Sequence, residues 1–279
     1  MTYQMEIEQM DACVSAVQHI RRLRGGSQSH LLAASDGGLY VTKFQNNPQH
    51  VRVLANEMLA GQLGRFLGLP LAAVEVIEVP EWLIEQTPEL HVEVGNTIFP
   101  CSAGRQLGLR YVNDPTGSRV HEYLPDDHLP RVVNLHDFSR VLVLDKWAAN
   151  CDGRQVVFSP DPGGTDTFTA TFIDQGFCFN AGEWNFPDGP LRGTYARRSV
   201  YSMVAGWDAF EPALSRAESM DLDEIWRCAL RIPEEWYEHD SDGLSRICEG
   251  LYRRRPLIRT LIAAFRSSPG NPFPNWTKD

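Results

Sequence analysis

The sequence predicts an α+β protein with its strands gathered in the first half and its helices in the second, and three observations carry that prediction. Two short apolar runs, His30 to Ala34 and Leu39 to Phe44, are divided by Ser35-Asp36-Gly37-Gly38, the pattern of a hairpin. Strand-like runs recur at Val74 to Val79 and around Val92 to Phe99. From Phe138 onward the apolar residues fall instead at helical spacing, first in Phe138, Val141, Leu142, Leu144, Trp147 and Ala148, later in Leu244, Ile247, Leu251, Leu257, Leu261 and Phe265.

Taken in order, a first helix is expected up to about residue 23, followed by the loop Arg24-Gly25-Gly26-Ser27-Gln28-Ser29 and then the hairpin. On its second strand Tyr40, Thr42 and Phe44 share one face, and Leu39, Val41 and Lys43 the other, so Lys43 projects from an apolar face. Residues 51 to 67 read as a helix ended by Gly68 and Pro70, with Glu57 beside its apolar stripe. Cys101 to Asp127 reads as a loop-rich connection. After the helix ending near Asn150 come a strand at Val156 to Phe158, a turn through Ser159-Pro160-Asp161-Pro162-Gly163-Gly164, and a strand from Phe168 to Ile173 that runs into Asp174-Gln175-Gly176. A loop at Gly182 to Pro190 precedes helices expected near 194–208, 221–230 and 242–266, the last kinked or broken at Pro256.

Composition bounds the function. The 279 residues carry a net charge of −10, which disfavours bulk binding to nucleic acid and anionic membranes. The basic clusters Arg21-Arg22-Leu23-Arg24 and Arg253-Arg254-Arg255 read as solvated helix faces or ends. Six scattered cysteines, Cys13, Cys101, Cys151, Cys178, Cys228 and Cys248, show no metal-ligand spacing and read as reduced thiols. Met1-Thr2-Tyr3-Gln4-Met5-Glu6 has no leader pattern, so a cytoplasmic location is expected.

Four features then fall in one order: a Gly/Ser loop before a hairpin, Lys43 on its second strand, Glu57 on the next helix, and Asp152 and Asp174 flanking a later hairpin. Phosphoryl transfer calls for such parts, because its catalysis is mostly positioning and charge neutralisation. Backbone N–H groups of a glycine turn approach phosphate oxygens, a lysine supplies a point charge, and a glutamate holds the lysine. One aspartate orients or deprotonates the attacking hydroxyl, and another brings Mg²⁺ to the phosphates.

Asn150-Cys151-Asp152-Gly153-Arg154-Gln155 and Phe172-Ile173-Asp174-Gln175-Gly176-Phe177-Cys178-Phe179 resemble the catalytic and metal-binding segments of HipA-like kinases, relatives of the phosphatidylinositol kinases. Gly25-Gly26-Ser27-Gln28, Tyr40-Val41-Thr42-Lys43-Phe44 and Asn56-Glu57-Met58-Leu59-Ala60-Gly61, ending in Leu67-Gly68-Leu69-Pro70, resemble the same family's small lobe. The resemblance covers about residues 20 to 185. It implies a bilobal protein-kinase-like fold, with a strand-rich ATP-binding lobe over 1–125 and a helical catalytic lobe over 126–279. It also implies ATP and Mg²⁺ as cofactors and an unidentified protein partner or substrate, phosphorylated on Ser or Thr.

On the same basis Asp152 is the expected catalytic aspartate, assisted by Asn150 and by Lys43, which contacts the α- and β-phosphates and pairs with Glu57. The loop residues Gly25, Gly26, Ser27 and Gln28 cover the phosphates, with Ser27 and Ser29 as candidate phosphosites. His121-Glu122-Tyr123-Leu124 is the expected adenine-facing hinge, drawing on Glu122, Tyr123 and Leu124. Asp174 is the expected metal ligand. The family pattern Asn-x-Asp-Arg-x-x-x-Asn departs here, since Gly153 precedes Arg154 and Val157 stands at the final Asn; Gln155 or Asn150 then remains to complete the metal site. That departure keeps one alternative open, a nucleotide-binding pseudokinase scaffold, and a second is transfer of AMP, because kinase-like clefts can hold ATP reversed. Arg192, Arg197 and Arg198 are candidate contacts for an acidic substrate, against the plainer reading of surface charges.

Overall fold

The computed structural model describes residues 14–112, 120–161, 163 and 166–277, which group into two compact units, Met1–Leu54 with Ala73–Tyr111, and Ala55–Ala72 with Val112–Asp279. Cys13, the first six residues, part of the 101–127 connection and part of the turn after Pro160 lie outside the described residues.

The first unit is a closed five-stranded barrel. Its strands are β1 (Val14–Arg22), β2 (His30–Ala34), β3 (Leu39–Lys43), β4 (Val74–Val79) and β7 (Gly104–Arg110). They pair in the order β1-β2-β3-β7-β4, and β1 closes the ring by pairing parallel to β4 through Val14 with Ile77 and Ser15 with Glu78. Between β4 and β7 lie a short helix α2 (Glu81–Glu85) and a hairpin of β5 (His91–Val94) and β6 (Thr97–Pro100), turned at Gly95, whose φ of 61° suits glycine. Leu32, Tyr40, Phe44, Ile77, Val79, Leu83 and Val92 form the interior.

Two expectations for this unit are corrected. The stretch before the glycine loop is a strand, not a helix. Pairing to β2 skips Val17 and Ile20, so two bulges each insert a residue and reset the alternation. Val14, Val17 and Ile20 therefore recur every third residue and imitate a helical stripe, although Val17 and Ile20 are exposed. The supposed loop after Cys101 contains β7, the strand that pairs with both β3 and β4. Its composition hides it: Gly104, Arg105, Gln106 and Gly108 are poor strand formers. Yet a Cβ on Gly108 would lie 2.3 Å from Ile77 Cγ1, and buried Gln106 accepts from Gln45 N at 2.8 Å while donating to the carbonyls of Ser102 and Ala103.

Helix α1 (Arg52–Leu67) matches the expected span. In the second unit its portion from Ala55 on joins α3 (Asp137–Trp147) and the hairpin of β8 (Gln155–Pro160) and β9 (Phe168–Ile173), with Gln155 paired to Ile173. The chain after α1 adds a short bridge, Leu71 to Phe172. Helices α4 (Ala213–Ser219), α5 (Leu222–Ala229), α6 (Ser241–Arg254) and α7 (Ile258–Arg266) follow, α6 and α7 being parted at Pro256 as its ring requires.

The helix expected near 194–208 is instead two single turns, Arg198–Tyr201 and Trp207–Phe210. The segment is rich in aromatic and β-branched residues and contains Gly206, so helix propensity is weak. Tyr201, Phe210, Phe265 and Phe273 pack edge to face there, which fixes the chain through side chains rather than a ladder. Among the described residues no helix is long and apolar enough to cross a membrane.

Candidate functional site

In the first unit the glycine loop is closed by two backbone bonds, Leu23 N to Ser29 O and Gln28 N to Gly25 O. Gly25 adopts φ 133°, open only to glycine without strain, and Gln28 itself lies at φ 48°. That turn aims the Gln28 side chain at β5: its amide donates to Glu93 O at 2.7 Å and its oxygen accepts from Glu93 N at 2.7 Å. Arg22 adds a bond to Gln28 at 2.6 Å and an ion pair to Glu93 at 2.5 Å. Gln28 thus ties the loop to the β5/β6 hairpin. Ser27 and Ser29 share a hydroxyl bond of 2.8 Å, and Ser29 is buried. Lys43, at the end of β3 opposite Leu107, is only 4% exposed.

In the second unit α3 ends at Trp147 and the chain turns sharply through Ala149, at φ 47°, to bring Asn150 and Asp152 round. A buried ionic cluster fixes this turn. Asp145 receives Arg154 in bidentate fashion, through Nε at 3.0 Å and through Nη2, and also accepts from Asn150 Nδ2 at 2.9 Å. The carboxylate and guanidinium are 1% and 2% exposed. Arg154 spends its remaining nitrogen on Ile173 O at 2.9 Å, the carbonyl just before Asp174. Asn150 in turn accepts from Asp152 N at 3.1 Å. One carboxylate on α3 therefore governs both the Asp152 turn and the approach to Asp174.

The two aspartates' segments are also laced directly, Cys151 N to Phe177 O at 3.1 Å and Phe179 N to Ala148 O at 2.8 Å. Asp174 sits at φ 61°, a conformation costly to most residues and concentrated at functional positions. Gln155 donates to Asp174 Oδ2 at 3.0 Å and is exposed, whereas Asn150 is buried with both ends of its amide engaged. Val157 lies on β8 opposite Thr171. Glu57 is fully buried and accepts from Gln175 N at 2.9 Å, the amide next to Asp174. Its neighbour Asn56 donates to Gly176 O at 2.9 Å and Ala181 O at 2.8 Å. The second unit thus brings together Glu57, Asn150, Asp152, Gln155 and Asp174; Lys43 and the glycine loop belong to the first.

The segment His121 to Leu124 also lies in the second unit, where His121 exchanges two backbone bonds with Phe158 on β8, at 2.7 and 2.8 Å. Arg197 braces it, its guanidinium 4.6 Å over the Tyr123 ring and bonded to Leu124 O and Asp126. Tyr123 and Glu122 are exposed, Leu124 buried.

Sequence reasoning missed Asp145, Lys146 and Gly193. The signal was present: Asp145-Lys146 interrupts an otherwise apolar run, where buried charges need partners. Lys146 donates to the carbonyls of Gly189, Pro190 and Arg192 at 3.3, 2.9 and 2.6 Å, and burial pushes its ammonium down to about 8. Gly193, at φ 65°, donates to Asp152 O at 3.2 Å, and a Cβ on it would fall 2.8 Å from Asp145 Cβ. Among the described residues no three His, Cys, Asp or Glu side chains cluster as a metal cage.

Among solved structures the chain resembles the Golgi casein kinase with Mn/ADP bound, at TM-score 0.54 and 12% identity over 96% of this chain and 78% of that one. It also resembles the Helicobacter pylori proinflammatory kinase CtkA, at TM-score 0.50 and 12% identity over 88% of this chain and 99% of that one. At that identity these structures establish a kinase-like fold. No curated protein matches. The family model of the HipA-like kinases matches residues 16–157, just over half of the chain, spanning the glycine loop, Lys43, Glu57 and the Asp152 turn but ending before Asp174. The chain belongs to the HipA-like kinase family.

Proposed function

We propose that this chain is an ATP- and Mg²⁺-dependent protein kinase that transfers the γ-phosphoryl group to a Ser or Thr hydroxyl. Family membership supports a phosphotransferase in general. The observation that carries the finer reading is the single buried scaffold, Asp145 with Arg154 and Asn150, that fixes Asp152 and the run-in to Asp174 together. Preorganised groups of this kind give phosphoryl transfer most of its rate.

In this reading Asp152 accepts the proton of the attacking hydroxyl, and Asn150 holds the Asp152 turn rather than a metal. Lys43 neutralises the α- and β-phosphates, and Gly25, Gly26 and Ser27 offer backbone N–H groups to phosphate oxygens. Gln28 shapes that loop from the side through Glu93. Glu57 serves as acceptor for the amide beside Asp174. The backbone of Glu122, Tyr123 and Leu124 meets the adenine edge.

Asp174 and Gln155 supply hard oxygen donors on adjacent strand ends, which suits Mg²⁺, an ion that completes its shell with phosphates and water. Bound there, the ion would neutralise charge on the transferred group. A turn of the Gln155 amide presents its oxygen in place of the Asn that Val157 replaces.

The test is nucleotide-dependent thermal stabilisation. With Mg²⁺ and an ATP analogue the wild type gains stability by mass action, and Asp174→Asn loses the Mg²⁺-dependent part. An equal Mg²⁺-dependent gain in both proteins overturns the metal assignment.

A further inference from the structure

A cavity of about 460 Å³ opens against Asp152, with the turn Cys151 to Gly153 on one side, Gly189 to Arg192 on the other, and Pro269 closing one end. That volume is within the range of binding sites for a few residues' worth of ligand. Its walls are fixed from behind. Lys146 holds three carbonyls of the 189–192 segment, Gly193 N is bonded to Asp152 O, Arg154 N to Thr194 O at 3.1 Å, and Arg198 is bonded to Pro269 O. A rigid trough beside the proposed catalytic aspartate is what an acceptor chain requires.

The structure sorts the three arginines named from the sequence. Arg197 is engaged with Asp126 and Leu124 O, and Arg198 with Pro269 O. The Arg192 side chain, exposed on the trough, makes no hydrogen bond, ion pair or ring contact among the described residues, and its charge acts on the neighbouring Cys151 thiol. An unpaired guanidinium beside the attacking position is a fork suited to a carboxylate. Leu191, 54% exposed, and Pro190 give the same wall an apolar lip.

We infer that this trough receives the acceptor peptide and that Arg192 selects an acidic side chain flanking the hydroxyl. The inference rests on the kinase reading above. In the step it serves, the hydroxyl oxygen forms a bond to the γ-phosphorus and the bond from that phosphorus to the bridging oxygen breaks. ADP leaves with the electron pair, and the hydroxyl proton passes to Asp152. The overall charge of −10 opposes an acidic peptide at long range, but at physiological salt charges beyond about 8 Å are screened and the local guanidinium decides.

The test uses the full chain and Ser-containing peptides that differ only in carrying Glu, Gln or Lys next to the acceptor. Wild type is expected to favour the Glu peptide over the Gln peptide about fivefold in kcat/KM, or ~1 kcal/mol, the upper range for an exposed pair. Arg192→Gln loses that preference, Arg192→Glu turns it toward the Lys peptide, and added salt weakens it in the wild type. A purely structural role for Arg192 lowers all three peptides alike, and that outcome overturns the inference. Transfer indifferent to flanking charge overturns it too while leaving the kinase reading standing. A wild type that transfers phosphate to nothing removes both.

Discussion

Replacing Asp145 by Leu strands the Arg154 guanidinium, 2% exposed, without its carboxylate and leaves Asn150 without the acceptor for its amide. Three hydrogen bonds to a carboxylate, two of them from the guanidinium, disappear from a buried site. Breaking a buried pair from one side costs about 3–5 kcal/mol, against a total of about 5–15 kcal/mol for an ordinary domain. With a urea slope of about 3 kcal/mol/M, the midpoint should fall by about 1 M or more. The assay is urea unfolding followed by the fluorescence of Trp147 and Trp236, fully buried reporters of the second unit, since two compact units need not unfold as one. Adding Arg154→Met should recover at least ~2 kcal/mol, because two apolar residues of similar size leave no buried charge. Phosphoryl transfer should not recover with it, because Asn150 and the Ile173 carbonyl stay unsupported. A single-variant loss below ~1 kcal/mol, or additivity in the double variant, refutes the buried scaffold.

Gly193→Ala adds a Cβ 2.8 Å from Asp145 Cβ and 3.2 Å from Asn150 O at a φ of 65°, so it should cost about 1–3 kcal/mol and lower kcat more than it raises the KM for ATP; unaltered kinetics contradict this. His30, fully buried at the start of β2, donates to His91 O and meets His19, Arg22 and His91 around it, and burial lowers its pKa to about 4. Its unfolded form binds a proton already at 6.5, so the stability it contributes is complete above 6.5 and is lost as pH falls toward 4, by at most ~3 kcal/mol. His30→Leu should flatten that slope in acid unfolding, and equal slopes in variant and wild type dismiss the assignment.

Much of this molecule is legible in the sequence where a local signal and the tertiary outcome agree. The hairpin at 30–44, α1, β4, β9 and the Pro256 break follow from turn residues, apolar period and the missing proline N–H. The two misses in the first unit share one cause, tertiary pairing that overrides local pattern, whereas the helix expected near 194–208 fails on weak propensity and aromatic packing. The two bulges give β1 a false helical period, and β7 is held by neighbours on both sides despite its glycines. Among site residues, those proposed to act at the phosphates carry motif spacing. The residues that hold them do not: Asp145 meets Arg154 nine positions away, and Gly193 reaches Asp145 and Asn150 across more than forty. Gln28 illustrates the limit, since a loop position implies a phosphate contact while its left-handed backbone turns the side chain to Glu93.

The most direct test of the central claim is transfer from γ-labelled ATP with Mg²⁺, to the chain itself and to Ser- and Thr-containing peptides, comparing wild type with Asp152→Asn and weighing the product by mass spectrometry. The wild type is expected to show label and the mass of one phosphate on a Ser or Thr, and the variant to lose transfer while retaining nucleotide binding. Added mass of AMP, or nucleotide binding with no transfer by the wild type, contradicts the claim.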